Sequence, residues 1–302
     1  MTPGPRRPAL PPGPWLVVGI ARSGLAAARA LRDRGEDVVA VDARPVAPAA
    51  AADELRALGV GVRAPSDGLA ELDAARAVCK SPGVPRGAPV VAAALERGLP
   101  VLGELELGWR LLPNAVVAVT GTNGKTTTTE LLGHVHRVAG LPVAVAGNVG
   151  TALSSLAGRI DAAATVVLEA SSFQLEDADA FAPDCAVLLN VAPDHLDRHG
   201  TFEDYRAAKL RIFARQGAAD VAVVPASLDP AAVGGRARRV PFGRGPRARL
   251  AERDGALWWD GAPLLDVAQL ALRGAHNVQN AMAAAAAALA RGVDPAAVGE
   301  GL

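Results

Sequence analysis

The chain has 302 residues, enough for about two domains, and half of them are hydrophobic, so that sizeable cores can form. Its 31 basic and 31 acidic residues give no net charge, which excludes the basic field that a nucleic-acid or anionic-membrane binder needs. The longest apolar run, Ala281 to Ala290, is too short to span a bilayer. We therefore predict a soluble cytoplasmic protein in which Cys79 and Cys185 are reduced, buried thiols.

Two α/β patterns follow a short leading segment. Residues 1–14 are rich in proline and arginine, a composition that predicts a disordered tail. Pro113 and Asn114 interrupt the chain between the two patterns. The predicted organisation is a first domain at residues 15–112 and a second at residues 113–302.

The first domain opens with a strand, a glycine turn from Gly19 to Gly24, a helix and a second strand ending before Asp42. This order, with an acid about twenty residues beyond the glycines, is typical of Rossmann-like domains. Ala21 replaces the middle glycine that lets a dinucleotide pyrophosphate approach. The turn therefore favours a nucleotide that is not bound through a pyrophosphate at the glycines as a dinucleotide is, with Asp42 and Arg44 near its base or ribose. An exposed Asp42 without a ligand is an equal alternative.

Two later segments of the first domain carry polar residues. Lys80-Ser-Pro-Gly83 is a rigid turn at the carboxyl edge of the predicted sheet, where open α/β sheets bind ligands. A helix is predicted from Glu104 to Leu111. We interpret Glu104 and Glu106 as a solvated first turn of that helix, where acidic side chains are favourable.

A glycine loop organises the second domain. Val116 to Thr120 predicts a buried strand, Gly121-Thr-Asn-Gly124 a tight turn, and Lys125-Thr126 the start of a helix. This combination forms a phosphate cradle in which backbone N–H groups point inward. Lys125 is expected to contact the β- and γ-phosphates, and Thr126 to bind Mg²⁺. Val119 stands where the usual pattern has a glycine, so a plain strand–helix connection is the alternative.

Acidic and histidine residues follow the neighbouring strands. Glu169 ends a predicted strand, a position at which metal-nucleotide enzymes hold Mg²⁺. Residues 190–200 carry a density of Asp and His that is unusual in a chain with five histidines. Beside a phosphate loop, a role with hard cations is more natural than transition-metal binding. Solvated polar residues are the alternative at both places.

Two helices lie toward the end of the chain. Thr201 is predicted to cap a helix at 202–214, in which Lys209 would be a solvated lysine on the residues alone. After short strands and loops, an alanine helix extends to Ala290. Asn277 and Asn280 lie one turn apart and either face a ligand together or cap the helix.

Taken together, these segments resemble the Mur ligase family over nearly the whole chain. The family's fold implies an α/β class, with an N-terminal Rossmann-like parallel-sheet domain followed by a P-loop ATPase-type central domain. The family's loop has its first glycine at the place of Gly121, which accounts for Val119. The motifs that carry the resemblance, in chain order, are the Gly19–Gly24 turn, Lys80-Ser-Pro-Gly83, Gly103-Glu-Leu-Glu106, Thr120-Gly-Thr-Asn-Gly-Lys-Thr126, Gly147-Asn-Val-Gly150, Glu169-Ala-Ser-Ser-Phe-Gln-Leu-Glu176, Asn190 through Gly200, Tyr205-Arg-Ala-Ala-Lys-Leu-Arg211 and His276-Asn-Val-Gln-Asn280.

The resemblance implies roles for individual residues. Lys209 would be carbamylated, which reverses the solvated interpretation, because an ammonium cannot bind Mg²⁺ whereas a carbamate offers anionic oxygens. Lys125, Glu169, His195 and Lys209 would be catalytic. The implied ligands of two Mg²⁺ ions are Thr126, Glu169, His195 and Lys209. The implied ATP contacts are Gly121, Thr122, Asn123, Gly124, Lys125, Thr126, Thr127 and, at the adenine, Asn280. The implied substrate contacts are Asp42, Arg44 and Ser81 at the uridine nucleotide, with Asn148 and Ser171 further along.

The implied reaction belongs to peptidoglycan precursor synthesis. ATP would phosphorylate the carboxylate of UDP-N-acetylmuramoyl-L-alanine, and the amine of D-glutamate would displace phosphate from the acyl phosphate. The Ser-Ser-Phe-Gln-Leu-Glu run at 171–176 and the Rossmann-like first domain favour the D-glutamate-adding member. The family also carries a C-terminal amino-acid-binding domain, which we expect to be missing here. Residues 1–302, expected to be monomeric, are therefore predicted to bind substrate without ligating. D-Glutamate-dependent phosphate release by the purified chain would contradict this.

Other functions stay open from the residues. Another ligase of the superfamily would add L-alanine or a diamino acid, or glutamate to folate. A non-catalytic nucleotide-binding protein, a P-loop GTPase and a dinucleotide-dependent oxidoreductase are further alternatives. The chain has no guanine-reading Asn-Lys-x-Asp stretch, which counts against the GTPase, and Ala21 counts against the oxidoreductase.

Overall fold

In the computed structural model, which describes residues 7–302, the chain forms two sheets with a hydrophobic core on each face. The strands of the first sheet are β1 (Trp15–Val18), β2 (Val38–Val41), β3 (Gly61–Arg63), β4 (Ala77–Lys80) and β5 (Val101–Gly103). They are all parallel, in the order β3-β2-β1-β4-β5. The helices of this part are α1 (Arg22–Asp33), α2 (Ala49–Ala57), α3 (Pro89–Glu96) and α4 (Glu104–Leu111).

The second sheet is larger. Its strands are β6 (Val116–Thr120), β7 (Val143–Gly147), β8 (Thr165–Glu169), β9 (Cys185–Leu188), β10 (Val221–Pro225), β11 (Arg238–Gly243), β12 (Leu250–Arg253), β13 (Ala256–Trp259) and β14 (Ala262–Asp266). Their order is β14-β13-β12-β11-β10-β9-β6-β8-β7, parallel from β7 to β12, with β13 and β14 antiparallel. The helices are α5 (Lys125–Val138), α6 (Ser172–Glu176), α7 (Leu196–His199), α8 (Phe202–Ala214), α9 (Ala275–Ala290) and α10 (Pro295–Gly301).

This topology confirms the predicted α/β fold class and positions the site. Parallel strands covered on both faces are continuous hydrophobic runs, and all five residues of β6 are buried. Because β6 lies between β8 and β9, the segments that follow these three strands meet at one edge of the sheet. The glycine loop, Glu169 and the 190–200 segment are therefore neighbours in space although they are far apart in the chain.

The alanine-rich helix α9 packs closely because its side chains are small. Its residues from Asn280 to Leu289 are buried, in the same core as Leu132 and Val135 of α5. Short side chains let two helices approach each other and the sheet with little loss of side-chain entropy. The alanine bias of the chain is thus accommodated by tight packing, and α9 lies beside the glycine loop.

Helix α4 joins the two domains and corrects one prediction. Glu104 and Glu106 are 1% exposed, so the interpretation of a solvated first turn was wrong. Glu104 Oε1 accepts hydrogen bonds from the backbone N–H and the hydroxyl of Ser154, both at 2.7 Å. Glu106 accepts three bonds from the backbone N–H groups of residues 179–181. These carboxylates are buried because they satisfy backbone donors of the second domain.

The leading segment also differs from the prediction in its described part. Residues 1–6 of the predicted tail lie outside the described residues. In the remainder, the Arg7 guanidinium donates to the carbonyl of Trp109 at 2.9 Å and lies over the Trp109 ring. Leu10 packs against the first-domain core. Residues 7–14 therefore lie along the protein surface, held by a cation–π contact and a small apolar contact.

Cys79 and Cys185 are free, buried thiols, as predicted. Within residues 7–302, no helix combines the length and the apolarity that crossing a membrane requires.

Candidate functional site

The glycine loop has the strand–turn–helix geometry predicted for it. β6 ends at Thr120, and α5 begins at Lys125 directly after Gly124, whose φ of 85° is left-handed. A Cβ atom built on Gly124 would lie 2.2 Å from Oδ1 of Asn280 on α9. Gly124 is therefore required for two reasons, its backbone conformation and the space that Asn280 occupies.

Asn190 fixes the shape of the loop from the next strand. Its Oδ1 accepts hydrogen bonds from the backbone N–H groups of Thr122 (3.1 Å) and Asn123 (3.0 Å). Its Nδ2 donates to the carbonyl of Asn123 at 3.0 Å. The Thr122 hydroxyl is 3.1 Å from the hydroxyl of Tyr205 on α8. The sequence marked Asn190 only as the first residue of the 190–200 segment. The signal that could have identified its role is the pairing of β9 with β6, which places it beside the loop.

Two lysines meet at one loop carbonyl. Lys125 Nζ donates to the carbonyls of Gly121 (3.1 Å) and Thr122 (2.9 Å). Lys209 Nζ donates to the same Gly121 carbonyl at 2.7 Å, and its side chain is 2% exposed. Burial, and then the charge of Lys125, lower the pKa of Lys209 to about 7, while Asp194 acts in the opposite direction. The residue-based interpretation of Lys209 as solvated was wrong, because α8 faces the loop.

Hard oxygen donors lie at the other side of the loop. The Thr126 hydroxyl donates to Glu169 Oε2 at 2.7 Å, and Asn148 Nδ2 donates to Glu169 Oε1 at 3.2 Å. A hydroxyl and a carboxylate are the ligands that Mg²⁺ prefers, so this pair fits the predicted metal. Among residues 7–302, no group of three or more His, Cys, Asp or Glu side chains is arranged to hold a metal ion. Both metal sites stay predictions.

His195 lies apart from this pair. It has a left-handed φ of 50°, is about half exposed, and has its Nε2 3.6 Å from Oδ2 of Asp194. Its ring lies 5.0 Å from the ring of Phe173 and 6.5 Å from that of Tyr205. The described side chains show no hydrogen bond from His195 to Thr126, Glu169 or Lys209. The structure therefore brings Thr126 and Glu169 together, whereas His195 is not in contact with this pair.

A cavity of about 1050 Å³ opens beside the loop. Asn123, Gly124 and Thr127 line one side, and His276 and Asn280 of α9 line another. Asn280 Nδ2 donates to Oδ1 of Asn277 at 3.2 Å, which confirms that the two asparagines share a face. The lining combines apolar side chains with amides, hydroxyls and the cationic Arg206, so that it offers both a hydrophobic surface and polar groups to a small molecule. It is large enough for a purine nucleotide.

The first-domain residues meet at the glycine turn. Asp42 accepts hydrogen bonds from the backbone N–H groups of Ile20 (2.8 Å) and Arg44 (3.0 Å). The buried Ser81 hydroxyl donates to the carbonyl of Gly19 at 2.8 Å. A Cβ on Gly24 would lie 1.8 Å from that carbonyl oxygen. Asp42 and Ser81 thus hold the turn in shape, while the Arg44 side chain is exposed.

Ser171 and Ser172 occupy the start of α6, between the two domains. Ser171 forms a capping box with Gln174, in which each side chain bonds the other residue's backbone N–H. The hydroxyl of Ser172 is 3.0 Å from Nε2 of His199, whose ring stacks on Phe173. The sequence singled out Ser171 but missed this contact of Ser172 and His199.

Comparison with known proteins identifies the family. The Mur ligase middle domain matches residues 119–288, and the MurD-like N-terminal domain of Mur ligases matches residues 14–103. The chain belongs to the Mur ligase family. The matched ranges correspond to the second and first sheets, so the Mur ligase middle domain contains the glycine loop, Glu169, His195 and Lys209, and the N-terminal domain contains Asp42 and Ser81.

Individual Mur ligases are similar over most of the chain. The UDP-N-acetylmuramoylalanine–D-glutamate ligase of Pelotomaculum thermopropionicum is 43% identical over 298 residues, covering 92% of this chain and 64% of that protein. The ligase of the same name from Frankia casuarinae is 46% identical over 303 residues, covering 96% of this chain and 63% of that protein. This chain therefore spans less than two thirds of the length of these relatives.

Solved structures of Mur ligases share the fold. The UDP-N-acetylmuramate–alanine ligase MurC of Thermotoga maritima has a TM-score of 0.59 and 25% identity, over 96% of this chain and 68% of that chain. A UDP-N-acetylmuramate:L-alanyl-γ-D-glutamyl-meso-diaminopimelate ligase from Neisseria meningitides has a TM-score of 0.67 and 24% identity, over 97% and 98% of the two chains. The latter similarity shows the fold alone.

Proposed function

We propose that this chain carries the nucleotide-binding and acceptor-binding parts of a cytoplasmic, ATP-dependent ligase that joins D-glutamate to UDP-N-acetylmuramoyl-L-alanine. The observation that carries the proposal is the pair of lysines on the Gly121 carbonyl, a few residues from the Thr126–Glu169 contact. Cations and hard oxygen donors around a glycine loop suit the transfer of a phosphoryl group to a carboxylate. The relatives named D-glutamate ligases support the choice of substrates.

The residues around the glycine loop and those of the first domain have separate roles in this proposal. Within the ATP loop at 121–127, Lys125 and the backbone N–H groups after Asn123 bind the phosphates, because those of Thr122 and Asn123 donate to Asn190. Asn280 contacts the adenine in the 1050 Å³ cavity. Thr126 and Glu169 would hold Mg²⁺, which would neutralise charge on the transferring phosphoryl group. Asp42, Arg44 and Ser81 bind the uridine nucleotide, and Asn148 and Ser171 bind the part of the acceptor near its carboxylate. The half-exposed His195 is a candidate ligand of a second Mg²⁺.

Lys209 is proposed to be carbamylated. A lysine whose pKa is about 7 is substantially unprotonated at neutral pH, so its nitrogen lone pair is free to attack CO₂. A C–N bond forms as one C=O π bond of CO₂ opens, one proton leaves the nitrogen, and the neutral amine becomes an anionic carbamate. Incubation with isotopically labelled bicarbonate should then give a carbamate carbon signal in NMR spectra. That signal should be absent from Lys209→Ala.

The acceptor preference tests the proposed function. We expect the purified 302-residue chain to bind UDP-N-acetylmuramoyl-L-alanine at least about tenfold more tightly than UDP-N-acetylmuramate in calorimetric titrations, since the alanyl carboxylate would reach the cationic loop. Lys125→Met should weaken binding of an ATP analogue with little change for the acceptor's uridine part. Preference for UDP-N-acetylmuramate would overturn the proposal and favour a ligase that adds L-alanine.

A further inference from the structure

A buried ion pair joins the two domains at the Lys80 turn. Lys80 ends β4 in the first domain, and its ammonium contacts the carboxylate of Asp177, the residue that follows α6 in the second domain. The two side chains are 0% and 4% exposed. Lys80 Nζ also donates to the carbonyl of Val84 at 2.9 Å, so that one ammonium closes the turn and contacts the other domain.

The backbone around Asp177 leaves room for this contact. A Cβ on Gly103, at the end of β5, would lie 2.9 Å from the Cβ of Asp177, so the glycine lets the aspartate reach the first sheet. Burial raises the pKa of Asp177, and the charge of Lys80 opposes this shift. Arg86 adds a weaker contact, 3.7 Å from Asp177 Oδ1. The Asp177 carboxylate is therefore buried, and the charges of Lys80 and Arg86 offset the cost of removing it from water.

The same turn contacts both candidate binding regions. Ser81, directly after Lys80, donates to the Gly19 carbonyl in the glycine turn of the first domain. From the second domain, Arg198 donates to the carbonyls of Pro82 (3.0 Å) and Val84 (3.4 Å). Arg198 belongs to α7, which begins directly after His195. Residues 80–84 thus lie between the proposed uridine site and the segment that carries His195.

We propose that Lys80 and Asp177 form a positioning pair that fixes the 80–84 turn against the second domain and so sets the span between the uridine site and the phosphoryl-transfer site. The inference rests on the proposed function, because only the affinity for an acceptor that bridges the two domains would depend on this span. Neither residue contacts the reacting atoms. A buried pair contributes little net stability compared with an apolar pair, but its direction and hydrogen bonds define one geometry.

Two ligands separate positioning from general stability. Under the proposed function, UDP would occupy the first domain alone, whereas UDP-N-acetylmuramoyl-L-alanine would reach into the second. In Lys80→Met/Asp177→Leu, which replaces the pair by apolar side chains of similar size, we expect UDP affinity to stay within about twofold. The affinity for the whole acceptor should fall by about tenfold or more, measured by calorimetric titration. The single variants Lys80→Met and Asp177→Leu should each lower the Tm by several degrees, and the double variant should restore most of that loss.

A matched control uses an exposed pair within the first domain. Arg97 and Asp73 lie 2.7 Å apart with side chains 47% and 79% exposed, and Arg97→Met/Asp73→Leu should change neither affinity. If the double variant at Lys80 and Asp177 loses affinity for both ligands equally, or for neither, the positioning role is refuted. If the unmodified chain binds the whole acceptor no more tightly than UDP, the proposed function itself fails and the positioning role fails with it.

Discussion

At Lys209, burial and the neighbouring charge of Lys125 both lower the pKa of the side-chain amine. The side chain lies under the glycine loop, over the ring of Tyr205, with its Nζ 4.5 Å from the ring centroid. Lys125 shares the Gly121 carbonyl with it, so that two ammonium groups compete for one acceptor. The result is an amine whose pKa is about 7, poised between a charged and a reactive form near neutral pH.

The lowered pKa predicts how stability depends on pH. Between pH 7 and 10.5, the unfolded chain holds a proton on Lys209 that the folded chain has released, so stability rises with pH in this window. In CO₂-free buffer, denaturant titrations should show the folding equilibrium constant of the chain rising relative to that of Lys209→Met, by up to roughly tenfold per pH unit. Parallel pH profiles for the two proteins would show that the lysine is not buried as an amine.

Gly124 gives a second prediction at the scale of one residue. Gly124→Ala meets both a left-handed φ and the Asn280 side chain, so it should cost more than about 2 kcal/mol and weaken binding of an ATP analogue. Gly140→Ala is the control, since its φ is also left-handed but nothing lies within 4 Å of its Cβ. Its cost should be about 1–2 kcal/mol, with nucleotide affinity unchanged. If Gly124→Ala and Gly140→Ala lower the free energy of unfolding equally in urea denaturation, the Asn280 side chain does not account for the need for glycine at position 124.

Among the secondary-structure elements, helix α4 packs into the cores of both domains. Leu105 and Trp109 belong to a core of the second domain, and Leu107 to a core of the first. Its two buried glutamates bond backbone N–H groups that have no other partner in a helix or strand. A periodic pattern predicts that a helix exists here, but not that both of its faces are buried. That is why the acids were expected to be solvated.

The two glutamates of α4 should respond differently to removal of their charge. Glu106→Gln keeps one of the two oxygens that serve three N–H donors and Arg110, so it should lose about 2–4 kcal/mol of unfolding free energy. Burial raises the pKa of Glu104, and the two hydrogen bonds from Ser154 act in the opposite direction. A single oxygen accepts both of its bonds, and Glu104→Gln should therefore stay within about 1 kcal/mol. Chemical denaturation compares the pair directly, and a larger loss at Glu104 would contradict this account.

The elements that sequence reasoning missed share a physical cause. α2, α3 and α10 are short, rich in alanine, and give a weak periodic signal, while β3 has only three residues. Their conformation depends on packing against the sheets rather than on local preference. By contrast, β6 and α5 were found because a β-branched run, glycines and a hydroxyl-rich helix start impose the structure locally.

On the scale of the molecule, the candidate site could be predicted only as separate pieces. The glycine loop, Glu169 and Lys209 were located, but their distances follow from the strand order β8-β6-β9, which no local pattern encodes. Asn190, Ser172 and His199 were overlooked as contacts for the same reason. Lys80 was marked as part of a turn, and its partner lies almost a hundred residues further along the chain.

The shared helix predicts how the whole chain unfolds. Because α4 contributes to cores on both sides, and Lys80 and Asp177 join the domains again, we expect one calorimetric transition rather than two. Trp109→Ala, which removes a buried ring from the second-domain core and its contact with Phe181, should cost about 3–5 kcal/mol and separate the transitions. Trp259→Ala on β13, far from α4, is the control and should leave one transition. Two resolved transitions in the unaltered chain would contradict the coupling.

The contact between Gly124 and Asn280 has a consequence for synthesis of the protein. The glycine loop leaves the ribosome long before α9, the helix that lies against it. Until α9 has emerged, the cavity lacks one of its walls, and a nucleotide meets only an open strand and turn. A nascent chain that ends before Asn280 should therefore be unable to hold ATP, and the nucleotide can stabilise the fold only after nearly all of these residues have been made.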